Sequence, residues 1–211
     1  MRSDVKRIFE QLRDEEKCWD AALRLERHRP RGAADALLEM LHEQLPSHTG
    51  RCVVWLVGMF GIKEAGKKLV EIMQNRDEGI DVRCGAAFSL GKLKLSDAVG
   101  ALVDSLREKP LRWSAAHALG RYPDGLVSNI LVNSLRDKDA GIREGAVWAL
   151  AELRSEGAIS ALEEAAKDED AAVRRGAEWA LLRIEHRRIH TRYRSLFVKR
   201  ATFGTSDLRV R

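Results

Sequence analysis

The chain has 211 residues, of which 45% are hydrophobic, 33% charged and only 6% aromatic, a composition ordinary for a soluble globular protein. Abundant Ala and Leu with few aromatics favours packed helices over a β-sandwich, and no stretch approaches the roughly 20 apolar residues needed to cross a bilayer. The formal charge of +5 sits at one end: residues 183–211 carry +7 and residues 1–182 carry −2, so the basicity gives no licence to read the whole body as a polyanion binder.

Met1-Arg-Ser-Asp4 runs into a charged amphipathic segment and not into an apolar signal core, which predicts a cytoplasmic protein. Residues 16–28 and 33–45 are helical by periodicity and are split by Pro30-Arg31-Gly32. Cys18, Cys52 and Cys84 are odd in number and form no C-x-x-C pair, so they are expected as reduced thiols with neither a disulfide framework nor a zinc knuckle.

From residue 49 onward the chain repeats itself. Val82-Arg-Cys-Gly-Ala-Ala-Phe-Ser-Leu-Gly91, Leu111-Arg-Trp-Ser-Ala-Ala-His-Ala-Leu-Gly120, Ile142-Arg-Glu-Gly-Ala-Val-Trp-Ala-Leu-Ala151 and Val173-Arg-Arg-Gly-Ala-Glu-Trp-Ala-Leu-Leu182 align without gaps, their starts 29, 31 and 31 residues apart. Residues 49–58 are a degenerate fifth copy. Positions 1, 4, 5, 8 and 9 of the pattern are apolar or small, one face of a helix, and the small residues at 4 and 5 admit a close neighbour. Second amphipathic helices are expected between the copies, over 64–75, 97–108, 125–136 and 157–167. The turns repeat too, with Asp137-Lys-Asp-Ala-Gly141 and Asp168-Glu-Asp-Ala-Ala172 placing an Asp to cap the next helix while its first-turn Arg pairs locally.

The expected fold is therefore all-α, an α-solenoid or superhelix of about five to six helical hairpins. Residues 1–190 form one repeat domain in this reading, with 1–48 a divergent N-terminal repeat or cap and 49–184 the clear repeats. Residues 191–211 form a basic tail or cap; around it Ile189, Leu196, Phe197 and Val198 are expected to fold back over the last hairpin while Arg187, Arg188, Arg192, Arg194, Lys199 and Arg200 stay solvated.

The V-R-x-x-A-A-x-A-L-G core resembles the short HEAT-like repeats first named for phycobilisome (bilin) lyases. The resemblance covers about 49–184 well and 1–48 loosely, and leaves 185–211 outside. It implies that the V-R helix is the second of each pair and lines a concave surface.

Position 7 of that helix, off the core stripe, should be solvated and polar. It holds Trp55, Phe88, His117, Trp148 and Trp179 instead, and position 3 adds Trp113 beside Arg51, Cys84, Glu144 and Arg175. Position 11 continues with Met59, Lys92, Arg121, Glu152 and Arg183. Two readings stand: inter-repeat packing, and an anchor-type binding surface formed by Arg51, Trp55, Phe88, Trp113, His117, Arg121, Trp148, Arg175, Trp179 and Arg183, since Trp and Arg dominate binding hot spots.

Enzymes with similar repeats need groups this chain lacks at the matching positions. Deoxyhypusine hydroxylases, which the repeats resemble in fold, place His-Glu pairs there for a di-iron centre, where this chain has Cys84-Gly85, Trp113-Ser114, Glu144-Gly145 and Arg175-Gly176. HEAT-like alkylpurine DNA glycosylases set an Asp among concave Trp residues, and no Asp occupies positions 3, 7 or 11 here. The sequence thus points to a non-enzymatic scaffold with no catalytic residue, metal or cofactor, holding a protein or peptide partner, with nucleic-acid binding or a bilin-handling role as the alternatives.

Overall fold

The computed structural model describes residues 3–186, and over them the chain is an all-α solenoid. Helices α1 (Ser3–Leu12), α2 (Cys18–His28) and α3 (Ala33–Met40) precede α4 (Ser47–Phe60), α5 (Gly66–Gln74), α6 (Ile80–Leu93) and α7 (Val99–Asp104). They are followed by α8 (Lys109–Leu119), α9 (Asp124–Ser134), α10 (Ala140–Leu153), α11 (Ile159–Ala165) and α12 over residues 171–186. The expected cap formed by Ile189, Leu196, Phe197 and Val198 lies outside the described residues, as do the tail cations.

The helices form two rows. The V-R helices α4, α6, α8 and α10 pack directly on one another in sequence, with α2 against α4, whereas α5 and α9 pack chiefly on their V-R neighbours. Small residues make the close row possible. A Cβ added at Gly91 would stand 2.7 Å from the Cα of Ala118, and one at Gly85 2.8 Å from a Val54 methyl. The interior between the rows is aliphatic: Leu56, Leu69, Met73, Leu90, Leu102, Leu106, Leu111 and Leu119 are fully buried, each contributing about 1.5–3 kcal/mol relative to exposure.

The outer helices differ from the sequence expectation in their continuity. The segments expected over 64–75, 97–108 and 157–167 each open with a 3₁₀ turn, Lys63–Ala65, Ser96–Ala98 and Glu156–Ala158. The second also closes with one, Ser105–Arg107, leaving α7 a short core. This unit is the 29-residue one, and Glu108 alone links it to α8 in extended conformation (φ −84°, ψ 106°). Helix α3 stops at Met40, short of residue 45, in turns that lead to Pro46.

The repeated Arg of each V-R pair stitches the stack. Arg83 Nε donates to Met73 O (2.8 Å) and its two terminal nitrogens grip Glu108 at 2.7 and 2.6 Å. Arg112 donates to Leu106 O and to Glu144 (2.8 and 2.7 Å). Arg143 donates to Asp137 O and grips Asp168 at 2.8 and 2.9 Å. The expectation of local pairing is therefore half met. The backbone carbonyls at the end of the preceding outer helix are local, but the carboxylates are 25 to 32 residues ahead, in the next repeat. The Asp caps form as expected, Asp139 accepting from Gly141 N (2.8 Å) and Asp170 from Ala172 N (2.7 Å).

Candidate binding surface

Because the V-R helices stack in register, their off-core positions fall along one surface, and the aromatic side chains there meet across helices. Trp113 on α8 stands edge-on to Trp148 on α10 (centroids 4.5 Å apart, 64° between planes), and Trp148 meets Trp179 on α12 at 4.5 Å and 47°. Arg183 lies over Trp179, 4.6 Å from the ring centroid, and donates to Glu152 at 2.8 Å. At the other end Trp55 on α4 meets Trp19 on α2 at 5.2 Å.

Trp19 is the aromatic that position-by-position reading missed. It precedes Trp55 by 36 residues as Trp113 precedes Trp148 by 35, and that matched spacing was the available signal. A ring at position 3 of one helix reaches position 7 of the next.

Burial grades along the surface. Trp55, Trp148 and Trp179 are partly buried against the core, so they serve inter-repeat packing, whereas Trp113 and Trp19 remain 50% and 45% exposed. The indole N–H of Trp148 is buried without an acceptor, a cost of about 1–3 kcal/mol. Between the two Trp groups stands Phe88, flanked by Lys92 Nζ at 5.9 Å and the Arg121 guanidinium at 5.7 Å from its centroid. His117, Arg51 and Arg175 are exposed on the same helices. Nine of the ten residues singled out from sequence lie on the V-R helices, as two Trp groups with a cation-flanked Phe between them, and Arg121 lies in the turn just past α8, which ends at Leu119.

Two of the three thiols sit apart from this surface, and Cys84 occupies its position-3 column. Cys18 and Cys52 are buried with their sulfurs 3.4 Å apart, and burial pushes the Cys52 thiol up to about 12. Among the described residues no three His, Cys, Asp or Glu side chains converge in a metal-holding group. No described helix is long and apolar enough to cross a membrane.

Two rows of antiparallel helices with Arg links between successive hairpins define a helical-repeat solenoid. Residues 107–182 match the family model of HEAT repeats, and the chain is a HEAT-like repeat protein. It is 34% identical over 106 residues to phycocyanobilin lyase subunit alpha of Picosynechococcus, a match that covers 45% of this chain and 39% of that protein. The chain therefore spans well under half the length of this curated relative.

Among solved structures, the complex of CpcE and CpcF of phycocyanin lyase from Nostoc is similar with a TM-score of 0.52 and 20% identity, covering 85% of this chain and 73% of that one. A designed armadillo repeat protein in complex with the peptide (KR)4 gives 0.50 and 19%, over 86% and 100%. At these identities the likeness is one of fold.

Proposed function

We propose that the protein is a non-enzymatic scaffold that holds a protein or peptide partner along its V-R row. The observation that carries this reading is the Trp113–Trp148–Trp179 group, in which two partly buried rings brace a third that is half exposed. A large aromatic fixed by its neighbours loses little entropy on contact, which suits it to anchor a partner. The row whose helices pack closest is the inner one of a curved stack, so the anchors face the concave side in this reading.

The relatives support work within an assembly. One is by name a subunit, and another was solved as a complex of two chains. The designed armadillo protein holds a peptide on a similar fold. A second reading, a bilin-handling role, is favoured specifically by the 34% identity to the phycocyanobilin lyase subunit, with the Trp surface as the seat for the flat chromophore.

Affinity capture followed by mass spectrometry tests the first reading, run with and without nuclease on the wild type, on Trp113→Glu and on Leu126→Glu. Leu126 is an exposed residue of the outer helix α9. A protein captured by the wild type and by Leu126→Glu, lost by Trp113→Glu and indifferent to nuclease supports the scaffold. Capture that survives Trp113→Glu, or that nuclease abolishes, defeats it.

A further inference from the structure

The middle of the row is charged in a way the partner-holding reading leaves unused. Two acids belong to the off-core columns of this surface, and both are already taken: Glu144 by Arg112 at 2.7 Å and Glu152 by Arg183 at 2.8 Å. Arg51, Lys92, Arg121 and Arg175 have no carboxylate partner among the described residues. Two of these four converge on a single ring, since Lys92 and Arg121 both lie within 6 Å of the Phe88 centroid. Arg121 is half-buried, and its Nε is buried with no acceptor.

Two like charges beside one ring repel, and a buried guanidinium N–H without an acceptor leaves a desolvated donor unsatisfied. The ring faces offset only part of this. An anion placed against both cations relieves their repulsion, while the Arg121 Nε stays shielded beneath it.

We propose that this part of the row takes an acidic peptide segment, its carboxylates pairing with Lys92 and Arg121 beside Phe88 while neighbouring apolar side chains rest on Trp113. This rests on the reading of the row as a partner-holding surface and gives the partner its chemistry. The chain's own residues 187–211 have the wrong sign for the seat, with eight Lys or Arg against one acid. A nucleic acid fits less well, because a phosphate polymer is held by a run of positive charge, whereas residues 1–182 carry −2 and Glu144 and Glu152 interrupt this surface.

The test uses the full chain and a random peptide library displayed on phage, panned against the wild type and against Lys92→Gln/Arg121→Gln. Peptides selected by the wild type should be enriched in Asp and Glu. In calorimetry, a synthetic selected peptide should bind about tenfold or more tightly than its Gln- and Asn-substituted version. The double variant, checked for unchanged helicity by circular dichroism, should lose the same factor for the acidic peptide and nothing for the amide version.

Selected peptides without acidic enrichment, or equal losses for both peptide versions, overturn the acidic seat while leaving a peptide-binding row intact. Failure of the wild type to select any peptide removes the partner-holding reading and this proposal with it. Binding of a single-stranded oligonucleotide that depends on Lys92 and Arg121, in place of peptide, makes the seat a phosphate site and contradicts the proposal.

Discussion

The guanidinium of Arg143 in one repeat closes on the carboxylate of Asp168 in the next, with nitrogen to oxygen distances of 2.8 and 2.9 Å and both side chains nearly buried. Removing one partner strands the other charge, so Arg143→Ala should destabilise the fold by about 3 kcal/mol. The exposed pair Arg136–Glu164, at 3.6 Å, is a control: Glu164→Gln should cost less than about 0.5 kcal/mol. Urea unfolding of the two variants checks the contrast, and equal losses would mean that the repeated Arg is not a stitch between repeats.

The same pair sets an acid limit. The Arg143 guanidinium holds the Asp168 carboxyl below its ordinary value of 3.8, and Arg83 lowers Glu108 in the same way. A depressed folded value contributes stability that is fully present above the unfolded value and is lost as pH falls through the folded one. The melting temperature of the wild type should therefore fall more steeply below pH 3.8 than that of Asp168→Asn, which has already lost this contribution. Parallel curves for the two proteins would contradict the assignment.

Close approach within the V-R row predicts opposite signs for two similar changes. Gly91→Ala drives a methyl to 2.7 Å from the Ala118 Cα and should cost about 1–3 kcal/mol. Gly100→Ala, in α7 with nothing within 4 Å of the new methyl, should stabilise by up to about 1 kcal/mol through helix propensity. Thermal denaturation of both variants distinguishes a packed row from a loosely associated one.

The thiols should separate by reactivity. Cys18 and Cys52 are buried, and burial pushes the Cys52 thiol up to about 12, while Cys84 is partly exposed. Ellman's reagent should label one thiol per native chain, at Cys84, and all three after denaturation. Rapid labelling of Cys18 or Cys52 in the native state would mean that α2 opens from α4.

How legible this fold was depends on the row. The V-R helices were readable because their pattern recurs at 29 to 31 residues, and α6 and α10 run past position 11 to Leu93 and Leu153, whereas α8 stops at Leu119, before Arg121. The outer row was readable as amphipathic but not in its breaks. The 3₁₀ turn after Asp104 falls in the shortest repeat, a backbone adjustment that side-chain periodicity does not encode. The candidate surface was legible column by column. The pairing of Trp19 with Trp55 left only its matched spacing as a trace, because the contact depends on the offset between neighbouring helices.

The indoles divide by role. Trp148, partly buried between Trp113 and Trp179, should cost about 2–4 kcal/mol of stability when cut to Ala, whereas Trp113→Ala should cost less than about 1 kcal/mol because half of its ring is already solvated. Trp113 is accordingly the variant that reports on binding without confounding the fold, and Trp148 is not.

The dissociation constant of a captured partner for Trp113→Ala, set beside that for Leu126→Ala on the outer row, distinguishes a partner held on the V-R row from one held elsewhere. Placement on the V-R row predicts that Trp113→Ala weakens binding by about 2 kcal/mol or more, a hot-spot loss, and that Leu126→Ala leaves it unchanged. Unchanged affinity in Trp113→Ala together with a loss in Leu126→Ala would place the partner on the other row and contradict it.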